Sequence, residues 1–207
     1  MISIINYGLG NLGSIVNMLQ YLNIPAQVIH YPEQLEATEK LILPGVGAFD
    51  SGMENLKASG WIPVLERKVL QQKIPVLGIC LGMQLMTKAS EEGIEKGLGW
   101  IDAHAVKISV PKGSRYRIPH MGWANVTEHK TGIFDSGLLT ESRFYFAHTY
   151  SVQLNKPEES LWLSAFYGTD FCAAFRDQNI LGVQFHPEKS HKYGLDLLRK
   201  FYFEFSN

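Results

Sequence analysis

A chain of 207 residues that is 45% hydrophobic and 19% charged is large enough for a single well-filled domain and too apolar for wholesale disorder. Its 19 Lys and Arg against 20 Asp and Glu leave a net charge of −1, and no basic run stands out, which argues against a nucleic-acid or anionic-membrane binder. No apolar stretch reaches the roughly 18 residues that would span a bilayer, Met1 to Asn6 carries no basic segment of a signal peptide, and two cysteines, Cys80 and Cys172, make no disulfide framework; a reduced, cytoplasmic, globular protein is expected.

The first half alternates strand-like and helix-like segments. Residues 2–6 are a short β-branched run that ends near Gly8. Residues 11–22 place Leu12, Ile15, Val16, Leu19 and Leu22 at helical spacing. Strands follow at 26–30 and 40–43, the latter stopped by Pro44-Gly45. One or two helices occupy 50–70, interrupted around Gly60 and Pro63. Residues 75–79 form a continuous apolar run, as in a strand buried on both faces, and lead straight into a helix over 81–88. This alternation predicts right-handed crossovers and a parallel sheet with helices on both faces. From residue 105 the pattern changes to short strands at 105–110, 123–126, 143–146, 151–154, 161–166, 172–176 and 181–185, separated by turn residues. An aromatic helix over 193–205 closes the chain. No linker or repeat divides it. The expectation is one α/β domain over 1–207, with a mixed, mostly parallel sheet that has helices on both faces and antiparallel additions.

Gly8-Leu9-Gly10-Asn11-Leu12-Gly13 has the form G-x-G-x-x-G between a strand and a helix, as a dinucleotide-binding turn would. That turn also needs an acid at the end of the second strand. Here the strand ends Val28-Ile29-His30-Tyr31, and tight turns need glycine for other reasons, so the dinucleotide reading is set aside.

Gly78-Ile79-Cys80-Leu81-Gly82 is G-x-C-x-G at the end of the buried strand, the cysteine form of a nucleophile elbow. A sharp strand-to-helix turn strains the nucleophile's backbone and leaves no room for bulky neighbours. Cys80 would sit at a helix N-terminus that favours a thiolate, with the Leu81 N–H placed for an oxyanion. The plain alternative is a buried structural cysteine. His186-Pro187-Glu188 ends the last strand. Residues two apart on extended backbone share a side, so Glu188 can orient the imidazole of His186 as a base for Cys80. Pro44-Gly45-Val46-Gly47 ends another strand near the elbow, and a glycine-rich turn can present backbone N–H groups.

Taken together, these three motifs resemble the class I (triad) glutamine amidotransferases, in that family's order. Within the family, Tyr7-Gly8-Leu9-Gly10-Asn11-Leu12, residues 43–49, Leu98-Gly99-Trp100, Pro119-His120-Met121-Gly122-Trp123, residues 145–150 and His186-Pro187-Glu188-Lys189-Ser190 are similar to the glutaminase subunits of imidazole glycerol phosphate synthase. The resemblance covers nearly the whole chain. Asn6, Ala124 and Thr149 depart from the usual pattern near the side expected to face a partner. A related subfamily feeds ammonia to sugar-modifying synthases of bacterial surface polysaccharide pathways, and is the alternative.

What the resemblance implies is a flavodoxin-like core carrying a glutaminase that needs no cofactor or metal. Cys80, His186 and Glu188 would be catalytic. Val46, Gly47 and Leu81 would form the oxyanion hole. Gly47, Gln84, His148, Thr149 and Tyr150 would contact glutamine. The ammonia would pass to a synthase subunit with a (β/α)₈ barrel, giving a heterodimer, with Asn11, Met121, Trp123 and Lys189 at or near the interface. The remaining histidines, including His120, read as scattered.

Overall fold

A computed structural model describes residues 1–131, 134, 137–139 and 141–205. Five strands form the parallel centre: β1 (Ile2–Ile5), β2 (Ala26–Ile29), β3 (Lys40–Gly45), β4 (Val76–Cys80) and, last in the chain, β11 (Ile180–Val183), in the spatial order β2-β1-β3-β4-β11. Between β4 and β11 in sequence come β5 (Ala103–Lys107), β6 (His120–Glu128), β7 (Arg143–His148), β8 (Tyr150–Leu154), β9 (Leu161–Phe166) and β10 (Asp170–Asp177). They extend the sheet antiparallel as β11-β10-β9-β6-β7, while β5 and β8 pair with each other and join β10 only at Val152 and Cys172.

The parallel strands are buried on both faces because each side chain set has its own helical cover. Ile2, Ile4, Ile42, Leu77 and Ile79 pack with α1 (Leu12–Tyr21) and α6 (His191–Phe203). Ile5, Leu41, Leu43 and Val76 pack with α2 (Phe49–Ala58), α3 (Trp61–Glu66) and α4 (Leu81–Leu85). Alternate residues of one strand therefore feed two cores, as the pleat requires. A short helix, α5 (Pro157–Ser160), precedes β9. No helix among the described residues is long and apolar enough to cross a membrane.

The alternation in the first half, the antiparallel additions and the closing helix are where the sequence places them. The differences are local. The strand expected to stop at Pro44 runs on to Gly45, pairing Pro44 with Ile79 and Gly45 with Cys80. Pro44 has no N–H for a ladder, but the Tyr7 hydroxyl donates to its carbonyl at 2.7 Å. A Cβ on Gly45 would lie 2.6 Å from that hydroxyl and 2.8 Å from the Gly82 nitrogen, so only glycine lets β3 run alongside the elbow. The helical region over 50–70 breaks at Gly60, whose φ of +70° suits glycine. Pro63 falls in the first turn of α3, where a missing N–H costs nothing. The helix expected over 81–88 ends at Leu85, and Thr87 closes it by donating to the Gln84 carbonyl at 2.8 Å.

The glycines of the first turn divide in an informative way. Gly8 and Gly10 take φ of +90° and +114°, whereas a Cβ on Gly13 would meet nothing within 4 Å. The third glycine is thus no close-packing residue of the kind a dinucleotide-binding turn needs. At the elbow the opposite holds: a Cβ on Gly82 would overlap the Leu43 carbonyl oxygen. Gly82→Ala should therefore lose about 3 kcal/mol or more of stability, while Gly13→Ala should gain about 0.5 kcal/mol from helix propensity. Urea denaturation of both variants checks the pair. Equal effects would show that the elbow can move away from β3.

Candidate active site

The carboxyl ends of the parallel strands converge at Cys80, the last residue of β4. Its φ of +54° and ψ of −109° are strained for a residue with a side chain. Such backbone costs about 1–3 kcal/mol and survives only where surrounding structure enforces it. Here β3 pairs on one side of β4 and β11 on the other. A Cβ on Gly78 would crowd Met86 and the Met83 nitrogen below 3.0 Å. The glycines of G-x-C-x-G thus let a five-residue helix, α4, turn back over its own strand.

His186 lies three residues past the end of β11. It does not share an extended strand with Glu188. Residues Pro187–Lys189 form a 3₁₀ turn, and this turn brings the two side chains together. The Nδ1 of His186 sits 2.7 Å from the Glu188 carboxylate, with both side chains nearly inaccessible to solvent. The turn is fastened at several points. The His186 N–H donates to the Tyr145 carbonyl. Ser190 donates its hydroxyl to the His186 carbonyl at 2.6 Å and accepts the Tyr145 N–H at 3.0 Å. A Cβ on Gly194 would overlap the Pro187 carbonyl. Ser190 thereby ties the turn to β7.

Burial pushes the proton affinity of His186 down, but hydrogen bonds to and charge on Cys80 and Glu188 outweigh it and raise the pKa to about 10. The imidazole is held as a proton donor. Tyr7, behind the elbow, keeps its proton because of burial and the charge on Cys80. The other cysteine is different in kind. Burial pushes the Cys172 thiol well up, and it lines a separate cleft of about 780 Å³ between β8 and β9, away from the elbow.

Cys80 opens into a cavity of about 220 Å³, whose wall also includes Val46, Gly47, Leu81, Gln84, His148, Thr149 and Tyr150. The structure thus brings every residue expected at an oxyanion or glutamine contact around one small space, of a size for a single amino acid rather than a larger ligand. Gly47 has a φ of +131°, open to glycine alone. Gln84 is more constrained than a polar residue at a pocket edge. Its amide nitrogen donates to the Tyr150 carbonyl and to Gln184, each at 3.0 Å. Gln184 is fully buried, and its own amide lies 3.7 Å from the Cys80 sulfur.

Of the other wall residues, Pro119 and Ala147 fall within motif segments of the sequence, whereas Glu92 lies outside all of them. Glu92 accepts the Phe49 N–H at 2.9 Å, in a loop pinned to α2 where Asp50 accepts the N–H groups of Ile94 and Glu95. One loop carboxylate on a pocket rim is invisible to periodicity, and only the loop's return to α2 places it there.

Asn11, Met121, Trp123 and Lys189 lie on the surface. Met121 lines the cavity mouth. Trp123 stacks on His191 with ring centroids 5.5 Å apart, and Lys189 sits over Tyr145, which also meets Trp123 edge-on. Asn11 opens α1, which packs against the Pro187–Lys189 turn.

The family model for class I glutamine amidotransferases matches residues 3–205. The chain belongs to that family. Among its relatives, the imidazole glycerol phosphate synthase subunit HisH 2 of Methanococcus maripaludis is 48% identical over 201 residues, covering 97% of this chain and 98% of that protein. HisH 2 of Pseudomonas aeruginosa is 45% identical with the same coverage, and HisH of Bdellovibrio bacteriovorus is 43% identical over 202 residues, covering 97% of this chain and 98% of that protein. Among solved structures, a glutamine amidotransferase superposes with a TM-score of 0.73 at 20% identity, covering 97% of each chain. The glutaminase domain of a Trypanosoma brucei CTPS does so with a TM-score of 0.63 at 16% identity, covering all of this chain and 95% of that one. At those identities the solved structures establish the fold. As a glutamine amidotransferase the chain is an enzyme, and the family works through a Cys-His-Glu triad.

Two buried imidazoles in this amidotransferase make its stability sensitive to acid. Burial lowers the pKa of His148 to about 3 and that of His120 to about 4. In the unfolded chain both would titrate near the ordinary histidine value of about 6.5. Below that value the unfolded chain binds more protons, so stability is full above about pH 6.5 and falls as pH falls. His148→Asn keeps a donor toward Tyr150 but removes one titrating group. Its stability should fall less steeply between pH 6.5 and 5, by up to about 1.4 kcal/mol per pH unit. Urea titrations across that range measure the difference, and parallel slopes would show that His148 is not buried neutral.

Proposed function

We propose that this chain is the glutaminase subunit of an imidazole glycerol phosphate synthase, hydrolysing glutamine to glutamate and ammonia for histidine biosynthesis. The observation that carries the chemistry is the hydrogen-bonded His186–Glu188 pair, 2.7 Å apart, beside a cysteine on a strained elbow. The pathway is supported by the names of relatives at 40–48% identity over nearly the full length of both chains.

In this mechanism the Cys80 sulfur attacks the side-chain amide carbon of glutamine. Negative charge collects on the former carbonyl oxygen and is met by the Leu81 N–H and by one N–H from Val46 or Gly47. The carbon–nitrogen bond then breaks as His186 gives its proton to the departing ammonia. A γ-glutamyl thioester is left on Cys80. His186, now neutral, takes a proton from water, the hydroxide equivalent attacks the thioester, and the carbon–sulfur bond breaks to release glutamate, whose new carboxyl ionises to solvent, leaving the Cys80 thiolate beside the protonated His186. Glu188 orients the imidazole and stabilises its charge. Its other carboxylate oxygen is buried with no hydrogen-bond partner among the described residues, so its charge is committed to His186. Gln84, the backbone of residues 148–150 and the rim carboxylate of Glu92 are suited to hold the amino-acid end of the substrate.

The ammonia goes to a barrel-shaped synthase subunit. Met121 and Trp123 are 63% and 41% exposed beside the cavity mouth, a composition that suits an interface core. Asn11 and Lys189 flank the catalytic turn and are placed to relay docking. The glycine-bounded Pro44–Gly47 turn is the element expected to respond. One orientation of its peptide offers a carbonyl to the site, and the other offers the N–H that completes the oxyanion hole.

Purified chain assayed for glutaminase with and without a cyclase subunit tests this reading. The chain alone should turn over poorly, and the cyclase should raise kcat far more than it changes KM. Activation by a sugar-modifying synthase and not by the cyclase would move the protein to the polysaccharide pathway.

The triad makes its own demands. Cys80→Ala should lose about 10⁴-fold or more in glutaminase turnover while ammonia supplied directly still supports the synthase. His186→Ala should be nearly as damaging. Glu188→Gln keeps a carbonyl oxygen for Nδ1 and loses only the charge, so it should retain measurable turnover. Cys172→Ser should be near wild type. Steady-state glutamate release distinguishes these outcomes, and turnover by Cys80→Ala would defeat the assignment.

A further inference from the structure

Gln84 belongs to a longer polar chain that begins at His120, a histidine of the Pro119–Trp123 segment. His120 is the first residue of β6 and lies opposite His148, the last residue of β7. It is 1% exposed. Its ring is stacked between Tyr167, with centroids 3.9 Å apart, and Phe146, at 5.0 Å. Tyr167 is fixed in turn by donating its hydroxyl to the Arg117 carbonyl at 2.8 Å.

The proton positions follow from the partners. The Nδ1 of His148 lies 2.8 Å from the Tyr150 carbonyl oxygen, which can only accept, so that nitrogen carries the hydrogen. A neutral imidazole then has a bare Nε2. The Nδ1 of His120 lies 3.1 Å from it and must be the donor. The Tyr150 carbonyl takes its second hydrogen bond from the Gln84 amide. Both amide hydrogens of Gln84 are thereby used on Tyr150 and Gln184, which fixes the flip of that amide and leaves its oxygen as an acceptor.

We propose that His120 is a positioning residue for glutamine: by holding His148 in the Nδ1-protonated tautomer it fixes the Tyr150 carbonyl and the orientation of the Gln84 amide in the substrate cavity. The inference rests on the glutaminase reading for its substrate, although the tautomer it requires does not. Without the His120 donor, the buried Nε2 of His148 has no partner, a state that costs more than the bond itself was worth. His148 then relaxes by moving its proton to Nε2 or turning its ring. Either change releases the Tyr150 carbonyl, and the wall that meets the amino-acid end of glutamine loosens. The elbow and the His186–Glu188 pair are untouched, so binding suffers and the chemical step does not.

The test uses the full chain with its synthase partner. His120→Phe, which keeps the stacking and removes the donor, should raise the KM for glutamine about tenfold with kcat within about threefold of wild type. His120→Asn places an amide nitrogen where Nδ1 was and should restore KM to within about threefold. Long-range ¹⁵N–¹H NMR of the imidazoles supplies the independent readout. In the wild type His148 should be protonated at Nδ1, and in His120→Phe this signature should be lost. An Nε2-protonated His148 in the wild type overturns the proposal whether or not the variant folds. So does a folded His120→Phe with wild-type KM, or one that loses only kcat. If the wild-type complex releases no glutamate at all, the glutaminase reading fails, and the NMR result still decides the tautomer.

Discussion

The strained turn at Cys80 is the constraint on which the other arrangements depend. A residue with a side chain held at a φ of +54° returns toward extended or helical backbone unless the structure prevents it. Here prevention comes from both neighbouring strands and from α4. β3 must approach closely enough to contact the Gly82 nitrogen region, which requires glycine at 45 and at 82. β11 must continue in register with β4, pairing Val183 with Ile79. That register is what delivers His186 to the sulfur, three residues further along. The strain cost is small beside the burial energy of two cores, and it turns a nucleophile into the cavity at the carboxyl end of β4.

The triad's second half follows from this placement but is built by other means. The His186–Glu188 pair owes its geometry to a 3₁₀ turn, and the turn owes its position to Ser190, which bonds backbone groups of both the turn and β7. The same β7 carries His148 at its end and pairs with β6, which carries Met121 and Trp123. A displacement of β6 and β7 as a unit would thus reach the catalytic turn through Ser190 and the substrate wall through His148. A partner that docked on the exposed side of β6 would have two short routes to the chemistry, and neither would need the central sheet to deform.

What the sequence discloses, and what it withholds, divides along the range of the interactions. The elbow, the Pro-Gly-Val-Gly turn and the His-Pro-Glu segment are legible because each does its work within five residues, through glycine and proline at fixed offsets. The parallel centre is legible for a similar reason: its apolar runs are local. The continuation of β3 through Pro44 is not local. It depends on a hydroxyl 37 residues away, and proline on its own argues for a stop. Extended backbone would also put His186 and Glu188 on one side, but this segment is a 3₁₀ turn, and the bonds that curl it come from Ser190 and β7.

His120 and His148 show the limit most clearly. Twenty-eight residues separate them, no helical or strand period links them, and nothing local to either one pairs it with the other. They meet because β6 and β7 pair with a register in which the first residue of one lies opposite the last of the other. Shifting that register by one residue would put the two rings on opposite faces of the sheet and break the hydrogen-bond chain to Gln84. The register in turn is held by what alternates along β6. Its outward side chains, Met121 and Trp123, lie on the surface, and the His120 ring stacks inward on Phe146 and Tyr167. The exposed face that suits a partner and the buried relay that suits the substrate are therefore two consequences of a single strand pairing. A substitution that favours one at the expense of that pairing would disturb the other.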